Sequence, residues 1–297
     1  MSILIDETTR VLVQGITGAQ GTRDTGHCIE YGTRVVCGVT PGKGGQDVHG
    51  VPVYDTVVDA LAEHEVNAAL LFVPPMRTKD GVLESLNAGI KLVVSLAEFV
   101  PRHDAAVIAA TARERGAVVV GCNTNGIISP GKCKLGGIGG DTPYDVYVPG
   151  DIGVVSRSGG MSAELALTLK TAGLGVTTSI SMGGDVIPGT PMVEYVKMFD
   201  DDPETKAILI FGEPGTQAEY EVAEYIRSGA CSKPVVALLA GEFQENYPPG
   251  VSFGHVAAMI SDSADTVSAK RQVLTEAGAL VANALDEVSA LLKGAVK

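Results

Sequence analysis

The stretch VLVQGITGAQGT, residues 11–22, joins a short apolar run to a glycine turn and the start of a helical segment. An apolar run without in/out alternation is typical of a strand buried on both faces, as in a parallel sheet. Glycines let the backbone approach a phosphate, and a helix N-terminus offers N–H donors with partial positive charge. The G-x-x-G-x-x-G spacing is related to the dinucleotide fingerprint, although a tight turn without a ligand is an alternative interpretation.

Apolar runs alternate with amphipathic segments through the first half of the chain, which predicts a doubly wound α/β fold. The predicted strands are Val11–Gly15, Arg34–Val39, Ala68–Val73, Lys91–Leu96 and Ala117–Gly121. The predicted helices lie near Gly21–Tyr31, Thr56–His64, Thr78–Ala88 and Asp104–Arg115.

The second half repeats this alternation after a break. Residues 129–151 are rich in Gly and Pro and lack a period, so we interpret them as a linker between domains 1–128 and 152–297. The predicted strands are Ile152–Val155, Thr177–Met182, Ala207–Phe211, Pro234–Leu239 and Leu280–Val281. The predicted helices lie near Gly160–Ala172, Met192–Phe199, Gln217–Ser228, Asp265–Glu276 and Asp286–Leu292.

Composition excludes several classes of protein. The chain has 22 Lys and Arg against 35 Asp and Glu, a net charge of −13, which argues against nucleic-acid or anionic-membrane partners. No apolar run reaches the ~18–20 residues of a membrane span, and the N-terminal residues lack the basic region of a signal peptide. Five scattered Cys without a C-x-x-C pair predict reduced thiols in a cytoplasmic protein.

The residues at the end of the second predicted strand indicate which nucleotide-containing ligand the first domain binds. An NAD site usually carries an acid there to hold the ribose hydroxyls, but this chain has Thr40-Pro41-Gly42-Lys43-Gly44-Gly45. Lys43 therefore suits an additional phosphate, which favours coenzyme A or NADP over a simple NAD dehydrogenase. A solvated loop lysine is the alternative.

The second half opens with a similar loop, Ser156-Arg157-Ser158-Gly159-Gly160. Two hydroxyls and backbone amides at a helix start form an anion pocket, with simple helix capping as the alternative. Ser158 does not fit a nucleophile elbow, because Ser156 replaces the first glycine of G-x-S-x-G.

His255 and Glu213 form a possible catalytic pair. His255 follows a loop and Gly254, and an imidazole can accept a phosphoryl group near neutral pH, although a lone His is more often structural. Glu213 follows a predicted strand in a glycine turn, where a carboxylate can orient a His ring. A capping or exposed Glu is the alternative for Glu213.

Taken together and in order, these motifs resemble the alpha subunit of succinate–CoA ligase. The matching segments are MSILIDE at residues 1–7, Gln14–Thr22, Thr40–Gly45, Val155–Gly159, Gly183–Gly189, Gly212-Glu213 and Gly254-His255. The resemblance implies a Rossmann-like CoA-binding domain followed by a flavodoxin-like doubly wound ligase domain. It assigns CoA contacts to Thr17, Gly18, Ala19, Gln20, Lys43, Leu96, Ala97 and Glu98. It makes His255 the phosphorylated histidine, Glu213 the acid that positions it, and Ser156, Ser158 and Gly159 the phosphate pocket.

The resemblance also implies a hetero-oligomer, αβ or α2β2. An ATP-grasp beta subunit would bind ATP or GTP with Mg²⁺, which agrees with the absence of a Walker motif from this sequence, and no metal site is expected in this chain. The expected activity is NDP-forming acid–CoA ligation. An acid is activated as an acyl phosphate, the CoA thiolate displaces phosphate, and His255 carries the phosphoryl group.

The chain departs from the family where the acid substrate binds. Gly121-Cys122-Asn123-Thr124-Asn125-Gly126 replaces Gly-Pro-Asn-Cys-Pro-Gly, and Ala163 replaces a Tyr. Asn123, Thr124, Asn125 and Ala163 therefore predict a pocket for a modified short acid such as malate, sulfoacetate or another polar acid. Residues 242–253 are acidic where the family is basic. The alternatives are succinate–CoA ligase itself, a CoA-dependent lyase or transferase relative, and a non-enzymatic CoA-sensing module.

Overall fold

A computed structural model describes residues 2–255 and 257–296, so Val256 and the predicted domain ends at residues 1 and 297 lie outside the described residues. The chain divides into two compact units. The N-terminal unit comprises residues 4–143 and 187–190, and the C-terminal unit comprises residues 2–3, 144–186 and 191–296. The domain limits of the sequence analysis stay a prediction.

The N-terminal unit is built on a mainly parallel sheet. Its strands are β1 Arg10–Gln14, β2 Arg34–Val39, β3 Asp47–Val48, β4 Val51–Tyr54, β5 Ala68–Leu71, β6 Leu92–Ser95 and β7 Val118–Gly121. The antiparallel hairpin of β8 Ile127–Ser129 and β9 Cys133–Leu135 follows in the chain and lies outside this sheet. Its helices are α1 Ala19–Glu30, α2 Val57–Glu63, α3 Pro75–Asn87 and α4 Arg102–Glu114. The order β3-β4-β2-β1-β5-β6-β7, with only β3 antiparallel, confirms the Rossmann-like prediction.

Burial explains why these runs become strands. Residues 11–13 of β1 and 68–71 of β5 have no exposed surface, as expected of strands covered by helices on both faces. The carboxyl ends of the parallel strands meet at one edge. There Gly15 has φ +76°, and a Cβ on it would lie 2.3 Å from the carbonyl oxygen of Phe72, so only glycine fits.

The C-terminal unit contains five parallel strands: β10 Pro149–Ser156, β11 Val176–Ser181, β12 Ala207–Gly212, β13 Val235–Leu239 and β14 Leu280–Ala282. Their order in the sheet is β11-β10-β12-β13-β14. Its helices are α6 Gly159–Thr171, α7 Met192–Asp201, α8 Ala218–Arg227, α9 Val267–Ala277 and α10 Leu285–Ala295, and α5 Pro143–Val146 precedes them. The 2-1-3-4-5 strand order confirms the flavodoxin-like prediction.

Some elements were not predicted from the sequence. The stretch 129–151, interpreted as aperiodic, contains β9, α5 and the start of β10, and the strands β3, β4 and β8 were also missed. These elements span two to four residues, apart from β10, which is too few to reveal a period. Helix α1 begins at Ala19 rather than Gly21, because Gly18 is its N-cap.

The five cysteines are free thiols, and only Cys231 is partly exposed. Burial raises the pKa of Cys28 to about 11 and that of Cys37 and Cys133 to about 12. Among residues 2–255 and 257–296, no cluster of three or more His, Cys, Asp or Glu side chains could hold a metal ion. No helix in the described part of the chain is long and apolar enough to cross a membrane.

Candidate functional site

The structure brings His255 and Glu213 together. Glu213 directly follows β12, whose six residues are all buried, and Nδ1 of His255 lies 2.8 Å from Oε2 of Glu213. The Glu213 side chain is 12% exposed and that of His255 is 35% exposed. A carboxylate at Nδ1 holds the proton on that nitrogen, so the neutral ring carries its lone pair on Nε2. The pair therefore presents a nucleophilic nitrogen from an oriented ring.

Gly184 also limits where the imidazole of His255 can lie. It lies in the loop after β11, and a Cβ built on it would be 2.9 Å from Cγ of His255. Real Cβ contacts are essentially never that short, so the ring packs directly on this backbone. Gly184, one of the residues in the family match Gly183–Gly189, thus makes room for the histidine.

A buried ion pair anchors the loop that carries Glu213. Oε1 of Glu219 accepts from the backbone N–H of Glu213 at 3.3 Å, and Nζ of Lys270 donates to the Glu213 carbonyl at 2.7 Å. Lys270 also donates to the carbonyl of Gly215 and to Oε2 of Glu219. Burial lowers the pKa of Lys270.

This pair was not predicted from the sequence, although one signal was present. Lys270 replaces an apolar residue in the buried stripe of α9 between Val267 and Leu274. A lysine at such a position has to find a buried acid, and here that acid is Glu219.

Arg157 is a second residue that the sequence analysis did not assign. Its side chain is almost fully buried, and it donates from Nη1 to Oγ1 of Thr216 at 2.6 Å and from Nη2 to the Asp185 carbonyl at 3.1 Å. It therefore ties the loop after β11 to the loop after β12. Both loops border the His255–Glu213 pair.

The loop at the start of α6 is closed by its own serines. Ser158 is the N-cap of α6 and accepts from the Met161 N–H at 3.3 Å. Oγ of Ser156 donates to the Ser158 carbonyl at 2.7 Å and accepts from the Ser158 N–H at 3.2 Å. The helix-capping alternative is therefore observed. Ser156 on β10 pairs with Phe211 on β12, two residues before Glu213. The phosphate role of Ser156, Ser158 and Gly159 stays a prediction.

A cavity of about 290 Å³ lies beside the His255–Glu213 pair. It is lined by Glu213, His255, the buried Gln244 and two phenylalanines, Phe243 and Phe253. The rings of Phe243, Tyr247 and Phe253 contact one another edge-on, with centroids 4.8 to 6.4 Å apart.

The acidic residues of the segment 242–253 have structural partners. Glu242 forms a 2.6 Å ion pair with Nη1 of Arg271. Oε1 of Glu245 accepts from the Ser268 N–H at 2.9 Å, and Oε2 accepts from the Ser268 hydroxyl at 2.7 Å. Both contacts fasten this segment to α9.

In the N-terminal unit, the glycine turn after β1 ends in the N-terminus of α1. Gly18 caps the helix without a side-chain hydrogen bond, and Gly18, Ala19 and Gln20 are exposed. The first N–H groups of a helix have no intrahelical acceptor, so this end suits an anion. A Cβ on Gly21 would lie 2.2 Å from the Gly15 carbonyl oxygen, so the turn closes only with glycine.

The loop with Lys43 lies on the same sheet edge. Thr17 and Thr40 share a hydrogen bond of 3.2 Å between their hydroxyls, which joins the two loops. The N–H of Lys43 donates to the Thr40 carbonyl at 3.0 Å, and the Gly44 N–H donates to Oδ1 of Asp55 at 2.9 Å. The Lys43 side chain is exposed, as a phosphate ligand or a solvated lysine would be.

The remaining predicted residues lie at three places in the chain. Leu96, Ala97 and Glu98 follow β6, and the Ala97 carbonyl accepts from the Asn123 N–H at 2.9 Å. Asn123, Thr124 and Asn125 lie after β7, where Oγ1 of Thr124 accepts from the Gly126 N–H at 2.8 Å. Ala163 lies in the first turns of α6 in the C-terminal unit.

Two domain families match this sequence. The CoA binding domain family matches residues 6–99, and the CoA-ligase family matches residues 155–280. The ADP-forming sulfoacetate-CoA ligase subunit SqwL of an Acholeplasma species is 45% identical over 296 residues, covering 99% of this chain and 98% of that protein. The ADP-forming succinate–CoA ligase subunit alpha 1 of Archaeoglobus fulgidus is 44% identical over 288 residues, covering 97% of this chain and 96% of that protein.

A solved structure shares the fold of the whole chain. ATP citrate lyase from Methanosaeta concilii, in complex with (3S)-citryl-CoA, superposes with a TM-score of 0.90 at 26% sequence identity. The match covers 99% of this chain and 52% of that chain, so the chain spans about half the length of the lyase.

Proposed function

The chain belongs to the family of alpha subunits of ADP-forming acid–CoA ligases, which includes succinate–CoA ligase, and on that basis we propose that it works through a phosphohistidine at His255. The overall reaction converts an acid, CoA and a nucleoside triphosphate into acyl-CoA, nucleoside diphosphate and phosphate. The observation that carries the proposal is the 2.8 Å contact between Nδ1 of His255 and Oε2 of Glu213.

In this proposal Nε2 of His255 attacks the terminal phosphorus of the nucleotide, a new N–P bond forms, and the nucleoside diphosphate leaves. The Glu213 carboxylate keeps the proton on Nδ1 of His255 and offsets the positive charge that develops on the ring. The phosphoryl group then passes to the carboxylate of the acid. The thiolate of CoA attacks the resulting acyl phosphate at its carbonyl carbon and releases phosphate.

The edge of the N-terminal sheet supports CoA as the thiol substrate. The α1 N-terminus at Gly18, Ala19 and Gln20 suits a diphosphate, and the exposed Lys43 suits a further phosphate. The adjoining Thr17 and the segment 96–98 complete the proposed contacts. The glycine turn fits this use, because side chains at Gly15 and Gly21 would clash with backbone.

The loop at the start of α6 supports a site for the phosphoryl group. Ser158 and Gly159 stand at the positive end of α6, on the same strand edge as Glu213. Ser156 shapes this loop through its two hydrogen bonds to the Ser158 backbone.

A partner beta subunit with an ATP-grasp domain completes the proposal. That subunit would hold ATP or GTP with Mg²⁺, in an αβ or α2β2 complex. A cytoplasmic location accords with the five free thiols.

The acid in this proposal is a short carboxylate with an additional polar group, such as sulfoacetate or malate. Asn123, Thr124, Asn125 and Ala163 are the residues proposed to select it. An alanine at position 163 offers space, and Asn125 offers donors that a proline would lack. The sulfoacetate-CoA ligase subunit and the succinate–CoA ligase subunit are almost equally similar to this chain, so a substrate panel chooses between these acids.

Phosphorylation of the full chain tests the mechanism. The chain is incubated with the copurifying partner subunit and radiolabelled nucleoside triphosphate, and phosphate that is labile to acid and stable to alkali is measured. The wild-type chain is expected to take up label, and His255→Ala is expected to take up none. His103→Ala is the matched control, because His103 is exposed on α4. Label that persists in His255→Ala would refute the assignment.

A substrate panel tests the acid. Formation of the acyl hydroxamate in the presence of hydroxylamine, or release of free phosphate, is measured with succinate, malate and sulfoacetate at matched concentrations. We expect the polar acids to give a higher kcat/KM than succinate. A clear preference for succinate would mean that the chain is part of a succinate–CoA ligase proper.

A further inference from the structure

Gln244 is a buried polar residue whose side chain contains an unpaired oxygen. The residue is 7% exposed, and within the described part of the chain its Oε1 has no hydrogen-bond partner. A buried acceptor without a donor destabilises a protein, because it loses its hydrogen bonds to water and gains none in exchange. An apolar residue of similar shape would avoid this penalty. The glutamine is therefore better explained by a group that it meets during the reaction than by the stability of the unit.

The backbone that carries Gln244 is fixed on both sides. Residues 242–246 form one 3₁₀ turn, in which the Gln244 N–H donates to the Gly241 carbonyl at 3.0 Å. Glu242 and Glu245, which flank it, contact α9 through the ion pair and the hydrogen bonds described above. The Gln244 side chain therefore starts from a fixed backbone position before any ligand arrives.

Gln244 lines the same cavity as the His255–Glu213 pair. Among the described residues that line it, Gln244 is the one polar side chain besides this pair, and the others are Phe, Pro, Ala and Gly. A Cβ built on Gly241, which also lines the cavity, would be 3.2 Å from Nε2 of Gln244. The amide nitrogen thus lies beside a residue that has no side chain to cover it.

We propose that Gln244 is a further catalytic residue, whose Nε2 donates a hydrogen bond to the phosphoryl group on Nε2 of His255. The inference deepens the proposed function and rests on His255 being the phosphorylated residue. As the N–P bond forms and the bond from phosphorus to the nucleoside diphosphate breaks, negative charge is spread over the three phosphoryl oxygens. Those oxygens accept hydrogen bonds, and a primary amide offers two donors without a charge. Gln244 therefore stabilises the phosphoryl group and transfers no proton.

The orientation of the carboxamide accords with this role. The unpaired Oε1 is buried, and the Nε2 donors lie beside the cavity residue Gly241. The rings of Phe243 and Phe253, with centroids 5.0 Å apart, form an apolar wall of the same cavity. A hydrogen bond to a charged oxygen is stronger beside such a wall, because the local dielectric constant is lower there than in water.

Gln244→Leu removes the amide donors and keeps a similar volume. The full chain with its copurifying partner is incubated with radiolabelled nucleoside triphosphate, and the initial rate of label incorporation at His255 is measured. We expect this rate to fall about tenfold to 100-fold, as for the loss of one hydrogen bond to a charged group. The Tm is expected to stay constant or rise, because the unpaired buried oxygen is removed. A merely structural role would lower the Tm instead.

Gln244→Glu keeps the shape of the side chain and replaces the donors with a negative charge. Because the carboxylate repels the phosphoryl oxygens, we expect label incorporation to be slower than in Gln244→Leu. Gln272→Leu is the matched control. Gln272 is exposed on α9, where its amide donates to Glu276 at 2.8 Å, so the wild-type rate is expected.

The possible failures are distinguishable. A wild-type rate in both Gln244 variants would overturn this proposal and leave the phosphohistidine intact, and the amide would then contact only water. A lower Tm with an equal loss of rate in both variants would make Gln244 a structural residue and would also overturn the proposal. A wild-type chain that takes up no label in the presence of its partner would instead refute the proposed function, and this inference with it.

Discussion

Nζ of Lys270 lies 2.6 Å from Oε2 of Glu219, and neither side chain has any exposed surface. The two residues also hold the backbone of Glu213, one through its N–H and the other through its carbonyl. The acid that contacts His255 thus stands on a loop fixed by a buried ion pair. This arrangement links the stability of the C-terminal unit to the geometry of the candidate site.

Lys270→Met is expected to destabilise the protein strongly. The substitution leaves the Glu219 carboxylate buried without its cation, which costs about 3–5 kcal/mol. Urea denaturation would show a lower midpoint with an unchanged slope. The double variant Lys270→Met with Glu219→Leu removes both charges and is expected to recover a large part of the loss.

Lys197→Met is the control for Lys270→Met. Its ion pair with Glu194 is about half exposed, so the expected change in unfolding free energy is within ~0.5 kcal/mol. Equal losses in the two lysine variants would contradict the anchoring role of the buried pair.

Glu213→Gln is expected to slow phosphorylation of His255 with little effect on stability. An amide can keep a hydrogen bond to Nδ1, but it supplies no negative charge to offset that of the ring. We expect the initial rate of label incorporation to fall about 100-fold or more, within the range of positioned acid–base groups. Glu224→Gln, at an exposed position of α8, is expected to keep the wild-type rate. An unchanged rate in Glu213→Gln would show that the contact is not used.

Gly184→Ala is expected to displace the imidazole of His255. The added methyl would lie 2.9 Å from Cγ and 3.1 Å from Nδ1, so the ring has to shift and its contact with Glu213 is disturbed. We expect phosphorylation to decrease at least tenfold, while thermal unfolding changes only slightly because His255 is on the surface side of the site. Gly294→Ala in α10 meets no atom within 4 Å and serves as the control. Wild-type phosphorylation in Gly184→Ala would argue against a ring held by this backbone.

Thiol reactivity is expected to distinguish Cys231 from the other four cysteines. Cys28, Cys37, Cys122 and Cys133 are buried in the native protein. The pKa of Cys28 is about 11 and that of Cys37 and Cys133 is about 12, so raising the pH from 7 to 9 produces little thiolate. A thiol reagent should modify about one group per native chain and five after unfolding. Rapid native reaction of several thiols in Cys231→Ser would be the contrary result.

Sequence reasoning predicted the long parallel strands and the helices between them, because their residues repeat a pattern over many positions. The strand Arg34–Val39 agrees at both ends with the observed β2. Short strands such as β3 and β9 were not predicted, because they form by pairing with a neighbouring strand and have no local sequence pattern of their own.

The candidate site shows the same division. His255 and Glu213 could be named from motifs, although 42 residues separate them along the chain. Lys270 and Arg157 could not, because their roles follow from the groups that surround them in the fold. Helix capping by Ser158 was one of two alternatives from the sequence, and the hydrogen bond from the Met161 N–H to its hydroxyl shows that it occurs.

The sequence by itself determined the two doubly wound halves, the phosphate-type loops at strand ends and the family. Those features depend on local periodicity and on glycines where a Cβ cannot fit, as at Gly15 and Gly21. Tertiary structure decided which side chains meet: the His255–Glu213 contact and its buried Lys270–Glu219 support. Parallel strands bring residues that are distant in the chain to one edge of the sheet. A charged side chain that is buried there has to pair with a side chain of opposite charge, because an unpaired buried charge is strongly destabilising.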